Sequence, residues 1–124
     1  TTLDNPPVMN SAGRLHMSMG DWLQTASLHT NSRSFLPQDV RKQLQFSSLD
    51  GSYAGGWIVT KRSWAAGPAL THAGSNTFWF AVMWIAPNTG RAFAAVANAA
   101  GAEVSNSLDR IIGAMILKTG STPR

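Results

Sequence analysis

Hydrolytic chemistry at a carbonyl needs an activated nucleophile, a donor for the developing oxyanion, and room for the substrate to lie against the backbone. In this chain of 124 residues the second and third requirements meet in His72-Ala73-Gly74-Ser75-Asn76. A glycine removes side-chain bulk where a ligand must approach a strand edge, the amide of Ser75 can point at an oxyanion, and His72 adds a hydrogen-bond donor beside them. The same five residues also read as a polar turn before the next strand, and residue types alone leave both readings open. The nucleophile is missing. No Ser or Thr is followed three residues later by Lys, there is no Gly-x-Ser-x-Gly elbow, and the single tyrosine, Tyr53, is followed by Ala54 and Gly55 rather than by x-Asn. His16, His29 and His72 lack metal-ligand spacing, Glu103 is the lone glutamate, and cysteine is absent, so neither a metal site nor a cofactor is expected.

The elements that would position these residues follow from periodicity. Thr1 to Arg14, with Pro6-Pro7 and Gly13, shows no sustained period and reads as extended chain or loop. Ser18 stands three residues before Asp21, so its hydroxyl can cap a helix from about Met19 to Leu28 that carries Met19, Trp22, Leu23 and Ala26 on one face. Asn31 to Ser34 is a polar break, and Pro37 suits the first turn of a second, short helix with Val40 and Leu44 one turn apart. After Asp50-Gly51 the texture changes to glycine, aromatic and β-branched residues, predicting strands at Tyr53 to Lys61, Ala69 to Gly74, Thr77 to Ala86 and Arg91 to Asn98. Pro87-Asn88-Thr89-Gly90 joins the last two as an antiparallel hairpin. Both faces of Thr77 to Ala86 are apolar, which predicts an interior strand covered on each side. Val104, Leu108, Ile111, Ile112 and Met115 then make the stripe of a closing helix from Glu103 to Lys118, with Gly120 as its cap.

The fold class is therefore α+β in one unit: a loop and two helices over 1–50, an antiparallel sheet of three to four strands over 51–98, and a closing helix over 99–124. With 44% hydrophobic residues, five Trp and five Phe, the chain can fill a core and is not globally disordered. The apolar run Thr77 to Pro87 is far short of the roughly 20 residues a membrane helix needs, so no membrane span is expected. Ten Lys and Arg against six Asp and Glu give a charge of +4, but the basic residues are scattered and form no stripe, so nucleic acid is not an expected partner. A sheet apolar on both faces needs more cover than one long and two short helices supply, and a partner segment or self-association is expected to provide it. Trp22, Trp79 and Trp84 read as packing groups, His16 and His29 as surface or cap groups, and Trp57 and Trp64 as possible borders of a cleft.

Three segments carry a family resemblance. Ala12-Gly13-Arg14-Leu15-His16-Met17-Ser18 with Asp21-Trp22 resembles the Gly-Gly-Leu-x-Ser-x-x-Asp entry to a helix in the class C β-lactamase-like serine hydrolases, the superfamily of serine esterases, D-amino-acid peptidases and penicillin-binding proteins. His72-Ala73-Gly74 resembles that family's third motif, Lys-Thr-Gly in lactamases and commonly His-x-Gly in esterases and peptidases. Phe80 to Asn98, with Pro87 and Gly90, resembles the hairpin that follows it. The resemblance implies the C-terminal portion of a penicillin-binding-protein transpeptidase-like fold, with His72 orienting substrate, Gly74 keeping the strand edge clear and the Ser75 amide serving as one oxyanion donor. Since Ser-x-x-Lys and Tyr-x-Asn precede this portion in the family, it also implies a partner: an N-terminal segment carrying the nucleophile, without which the chain is inactive. The substrate would be a small ester, amide or lactam. A non-catalytic binding or regulatory domain on the same scaffold is the competing expectation. The cysteine-free composition fits either side of a membrane, with periplasm or secretion ahead of cytoplasm.

Overall fold

Gly55 and Gly56 decide the strand count. Their φ angles of 55° and 88° lie in the left-handed region that suits a two-residue hairpin turn. The stretch expected as a single strand from Tyr53 to Lys61 therefore folds back on itself as β1 (Tyr53–Ala54) and β2 (Trp57–Arg62), with Ala54 opposite Trp57. In the computed structural model, which describes residues 4–30, 35–46 and 51–120, the sheet has five strands rather than the expected three to four. The polar break at Asn31 to Ser34 lies outside the described residues. A 3-10 turn at Ser63–Ala65 leads into β3 (Gly67–Ser75), followed by β4 (Phe80–Ala86) and β5 (Arg91–Ala97). Strand order follows chain order and every neighbouring pair is antiparallel, so the sheet is a meander.

β3 runs three residues longer than expected, and β4 starts at Phe80 because Thr77, at φ 76°, and its neighbours form a turn. The N-terminal stretch also departs from the extended reading: Pro7–Met9 is a 3-10 turn, with Pro7 supplying the fixed φ of a first helical position, and Asn10–Gly13 continues it as the single helical turn α1. α2 (Met19–Ala26) begins as the spacing predicts. Ser18 Oγ accepts from the Asp21 amide at 3.1 Å and donates to its carboxylate at 2.7 Å. A 3-10 turn, Ser27–His29, replaces the last helical residues. α3 spans Gln38–Gln45 and α4 Ala102–Gly120.

The period-2 pattern of β4 places alternate residues in two cores. On one face Val82, Phe93 and Ala95 pack under Leu108 and Ile112 of α4, with Trp64, Trp84 and Met115 at the margin. On the other, Leu70, Met83 and Ile85 pack against Ala26 of α2, with Trp22, Trp57 and Val59 around them. β4 is thus the interior, doubly covered strand its apolar faces required. Leu108 and Ile112 lie one helical turn apart, so one stripe anchors the helix to the sheet, and truncating such a side chain costs roughly 2–5 kcal/mol.

Cover on the α4 face is incomplete. One row crosses all five strands as Tyr53, Ile58, Thr71, Trp84 and Phe93. Phe93 under α4 is 7% exposed, whereas Ile58 and Tyr53 at the far end are 47% and 49% exposed. Among the described residues no helix is long and apolar enough to cross a membrane.

Candidate functional site

The site grows from a mismatch of ladder lengths. β3 pairs with β2 only from Gly67 to Thr71, whereas its pairing with β4 runs from Leu70 to Ser75. Residues 72–75 therefore keep β4 on one side and have no ladder partner on the other among the described residues. At about 3.3 Å per residue this edge is roughly 10 Å long. His72 stands at its start, opposite Met83, and Gly74 and Ser75 at its end, opposite Ala81 and Phe80.

The turn that ends the edge uses some of these groups and leaves others. Ser75 Oγ accepts from the Thr77 amide at 3.1 Å, and Asn76 Oδ1 accepts from the amides of Phe78 and Trp79 at 3.2 and 3.0 Å. The side chains of Ser75 and Asn76 are thereby accounted for as turn builders, as a local side-chain turn requires. Gly74 is not. It has no left-handed φ, and a Cβ built on it would meet nothing within 4 Å. Glycine is a poor strand residue, and nothing in the packing of the described residues requires one here.

Gly74, Ser75 and Asn76 form one wall of an open cleft of 480 Å³ whose opposite wall is the N-terminal segment, with Asp4, Asn5, Gly13, Leu15 and His16. Trp79 and Ala81 complete it and continue into an adjoining trough of 510 Å³ bordered by Met17, Trp22, Phe80 and Val96. Trp79, expected as a packing group, is instead 51% exposed along both hollows, because the turn at Thr77 lifts it out of the strand ladder. In the opposite wall Asp4 Oδ2 accepts from Arg14 Nε at 3.0 Å and lies 3.3 Å from His16 Nε2. The Arg14 hydrogen bond, with those of the Asn5 amide and His16, holds the Asp4 carboxyl below its ordinary range against a smaller opposing effect of burial. The His16 ring stands largely in solvent, its side chain 76% exposed, so Arg14 is the firmer partner of the carboxylate. A larger hollow of 610 Å³ lies at the far end of β2, around Phe46, Val59 and Pro68, and contains none of the candidate groups.

His72 does not line the cleft. Its Nε2 lies 3.3 Å from the hydroxyl of Tyr53, the rings meeting edge-on with centroids 6.1 Å apart. The structure thus keeps Gly74 and Ser75 together, places His72 at the other end of the same edge, and adds Tyr53, His16, Asp4 and Trp79 to the surroundings. Tyr53 and His72 are 19 residues apart with a hairpin between them. No local spacing signals that contact.

The remaining aromatic and histidine expectations divide. Trp22 and Trp84 pack as expected, while Trp64 stacks edge-on to Trp84 and Phe93 and lines a hollow of 180 Å³ with Trp84 and Ile112, apart from the cleft at Gly74. His29, expected as a surface or cap group, is buried: its Nε2 accepts from Trp57 Nε1 at 3.1 Å and its carbonyl accepts from Gln45 Nε2 at 2.6 Å. The 3-10 turn after α2 carries it inward, tying α2, α3 and β2 at one point, and burial pushes its pKa down. No group of three or more His, Asp or Glu side chains able to hold a metal occurs among the described residues. Comparison of the chain with protein-family models, with curated proteins and with solved structures finds no match.

Proposed function

We propose that the chain is the C-terminal segment of a serine hydrolase of the class C β-lactamase-like kind, cleaving an ester or amide through an acyl-enzyme whose serine comes from an N-terminal segment. The observation that carries this reading is Gly74. A glycine with ordinary φ, in the half of β3 that lacks a described neighbour and beside a cleft, leaves space that no described residue fills. An extended substrate lying along residues 72–75 would use that space and could add backbone hydrogen bonds to the edge. The Ser75 amide would donate to the oxyanion while its hydroxyl stays committed to the turn. A His rather than a Lys at position 72 favours an ester or peptide over a lactam carboxylate, for which an ammonium is the stronger partner.

The uncovered end of the α4 face supports the partner half of the proposal. From β1 to β3 is two strand spacings, about 10 Å, the breadth of one helix. Ile58 and Tyr53 on that strip are what such a helix would cover. The competing reading, a non-catalytic binding domain, draws on the absence from the sequence of any arrangement that activates a serine. Complementation separates the two. The purified chain should not hydrolyse p-nitrophenyl acetate or nitrocefin above background, and adding an N-terminal segment bearing Ser-x-x-Lys and Tyr-x-Asn should restore ester hydrolysis. A stable complex of both segments that turns over neither substrate would favour the binding domain.

A further inference from the structure

We infer that Tyr53 is a positioning residue for His72, fixing its imidazole with the proton on Nδ1. The contact is not one the ladder dictates: the register sets Tyr53 in the row of Ile58 and Thr71 and His72 in that of Met83, yet the phenol and the imidazole meet where β3 loses its β2 neighbour. The 3.3 Å contact joins the hydroxyl to Nε2, and Nδ1 has no partner among the described residues. The sense of the bond follows from the two groups. A phenol is a good O–H donor and a poor acceptor, because its oxygen lone pair is drawn into the ring, whereas the unprotonated nitrogen of a neutral imidazole is a strong acceptor. The O–H therefore donates to Nε2, and the ring proton resides on Nδ1, since the bond made by one nitrogen sets the state of the other. This is the tautomer that a histidine free in water disfavours, so a partner is needed to hold it.

The consequence rests on the hydrolase reading: at the start of the unpartnered edge, His72 presents an N–H donor of fixed orientation to a substrate oxygen. Tyr53 is 49% exposed and makes no core contact, so its hydroxyl is dispensable for folding. Both the tautomer and its effect are measurable. Long-range 1H–15N correlation spectra of the histidine rings in the whole chain, recorded at about pH 8.5 where imidazoles are neutral, should show His72 protonated on Nδ1. In Tyr53→Phe, which keeps the ring contact and removes only the hydroxyl, the signal should move toward the Nε2–H form with Tm unchanged. An Nε2–H signal in the wild-type chain, or the same signal in both proteins, overturns the inference. In the complemented hydrolase, Tyr53→Phe should lower kcat/KM about fivefold to tenfold, the worth of one hydrogen bond, and a shifted tautomer with unchanged kcat/KM overturns the positioning role. A wild-type chain that stays inert with the N-terminal segment bound overturns the hydrolase reading instead, and leaves the tautomer result to stand or fall by the spectra.

Discussion

Gly74, His72 and Ser75 can be told apart by what each substitution leaves behind. A Cβ at 74 meets no described atom within 4 Å and valine suits a strand, so Gly74→Val should keep or slightly raise Tm. In the complemented hydrolase it should nevertheless cost about a hundredfold in kcat/KM, the scale of a lost oxyanion contact. His72→Ala should cost about tenfold, since an orienting hydrogen bond between neutral groups contributes at most about 1.4 kcal/mol. Ser75→Ala should be mildest in turnover because the donating amide survives; its effect falls on the turn, where the Thr77 amide loses its acceptor. Activity that falls only in step with Tm, or a ranking led by Ser75→Ala, would mark these residues as a structural turn. His29 gives a separate test through pH. Burial lowers its pKa below the ordinary 6.5, so the unfolded chain binds the proton more tightly than the native one. Its contribution to stability is complete above pH 6.5 and is lost as pH falls below that value toward the lowered native pKa, where protonating Nε2 also breaks the bond from Trp57. Tm should decline over that interval in the wild type, and His29→Gln, which keeps an acceptor but cannot titrate, should flatten the decline. An equal decline in both proteins would place its origin elsewhere.

At the scale of elements, the legible parts are those whose signal is local. The β4–β5 hairpin could be read from Pro87 to Gly90, where Gly90 takes φ 65°, and α4 from a stripe that meets the sheet through Leu108 and Ile112. β3 was legible as a strand, but its length was not: Gly67 and Pro68, poor strand residues, are drawn in by pairing with Arg62 and Lys61 of β2, and Ser75 is held by Phe80 of β4. The fifth strand was hidden because Gly55-Gly56 fits a bend, a bulge or a hairpin equally well, and only the pairing of Ala54 with Trp57 selects the last. Around the candidate site, the run of 69–74 was legible as a strand, and the clustering of Gly74 and Ser75 follows from their adjacency in the sequence. The cleft wall from Asp4 to His16, the exposure of Trp79 and the Tyr53 contact were not legible, since each depends on segments far apart in the chain. The turn itself is testable. Gly56 stands in open space, so Gly56→Ala should cost only the left-handed strain of about 1–2 kcal/mol. A Cβ on Gly55 would lie 2.9 Å from the Leu44 carbonyl oxygen, a backbone atom, so Gly55→Ala should cost at least twice as much. Urea midpoints of the two variants would check the order; equal values would mean that α3 does not press on the turn.

For the whole molecule, the meander with α2 on one face and α4 on part of the other is an α+β unit with a strip of apolar sheet uncovered. The chain alone should self-associate or bind a hydrophobic dye through that strip. Ile58→Glu should weaken both without lowering Tm, because Ile58 is 47% exposed and belongs to none of the buried clusters. A monomer in sedimentation that binds no dye would show that the strip needs no cover. A hydrolase whose two halves of chemistry reside on different segments carries its nucleophile outside this chain, and covalent labelling locates it. A fluorophosphonate probe should be offered to the chain alone and to its complex with a Ser-x-x-Lys, Tyr-x-Asn segment, and the modified residue identified by mass spectrometry. No label is expected on the chain alone, and one label per complex is expected on the serine of the added segment. A stoichiometric label on any serine of this chain, or none on a well-formed complex, would contradict that division of the chemistry.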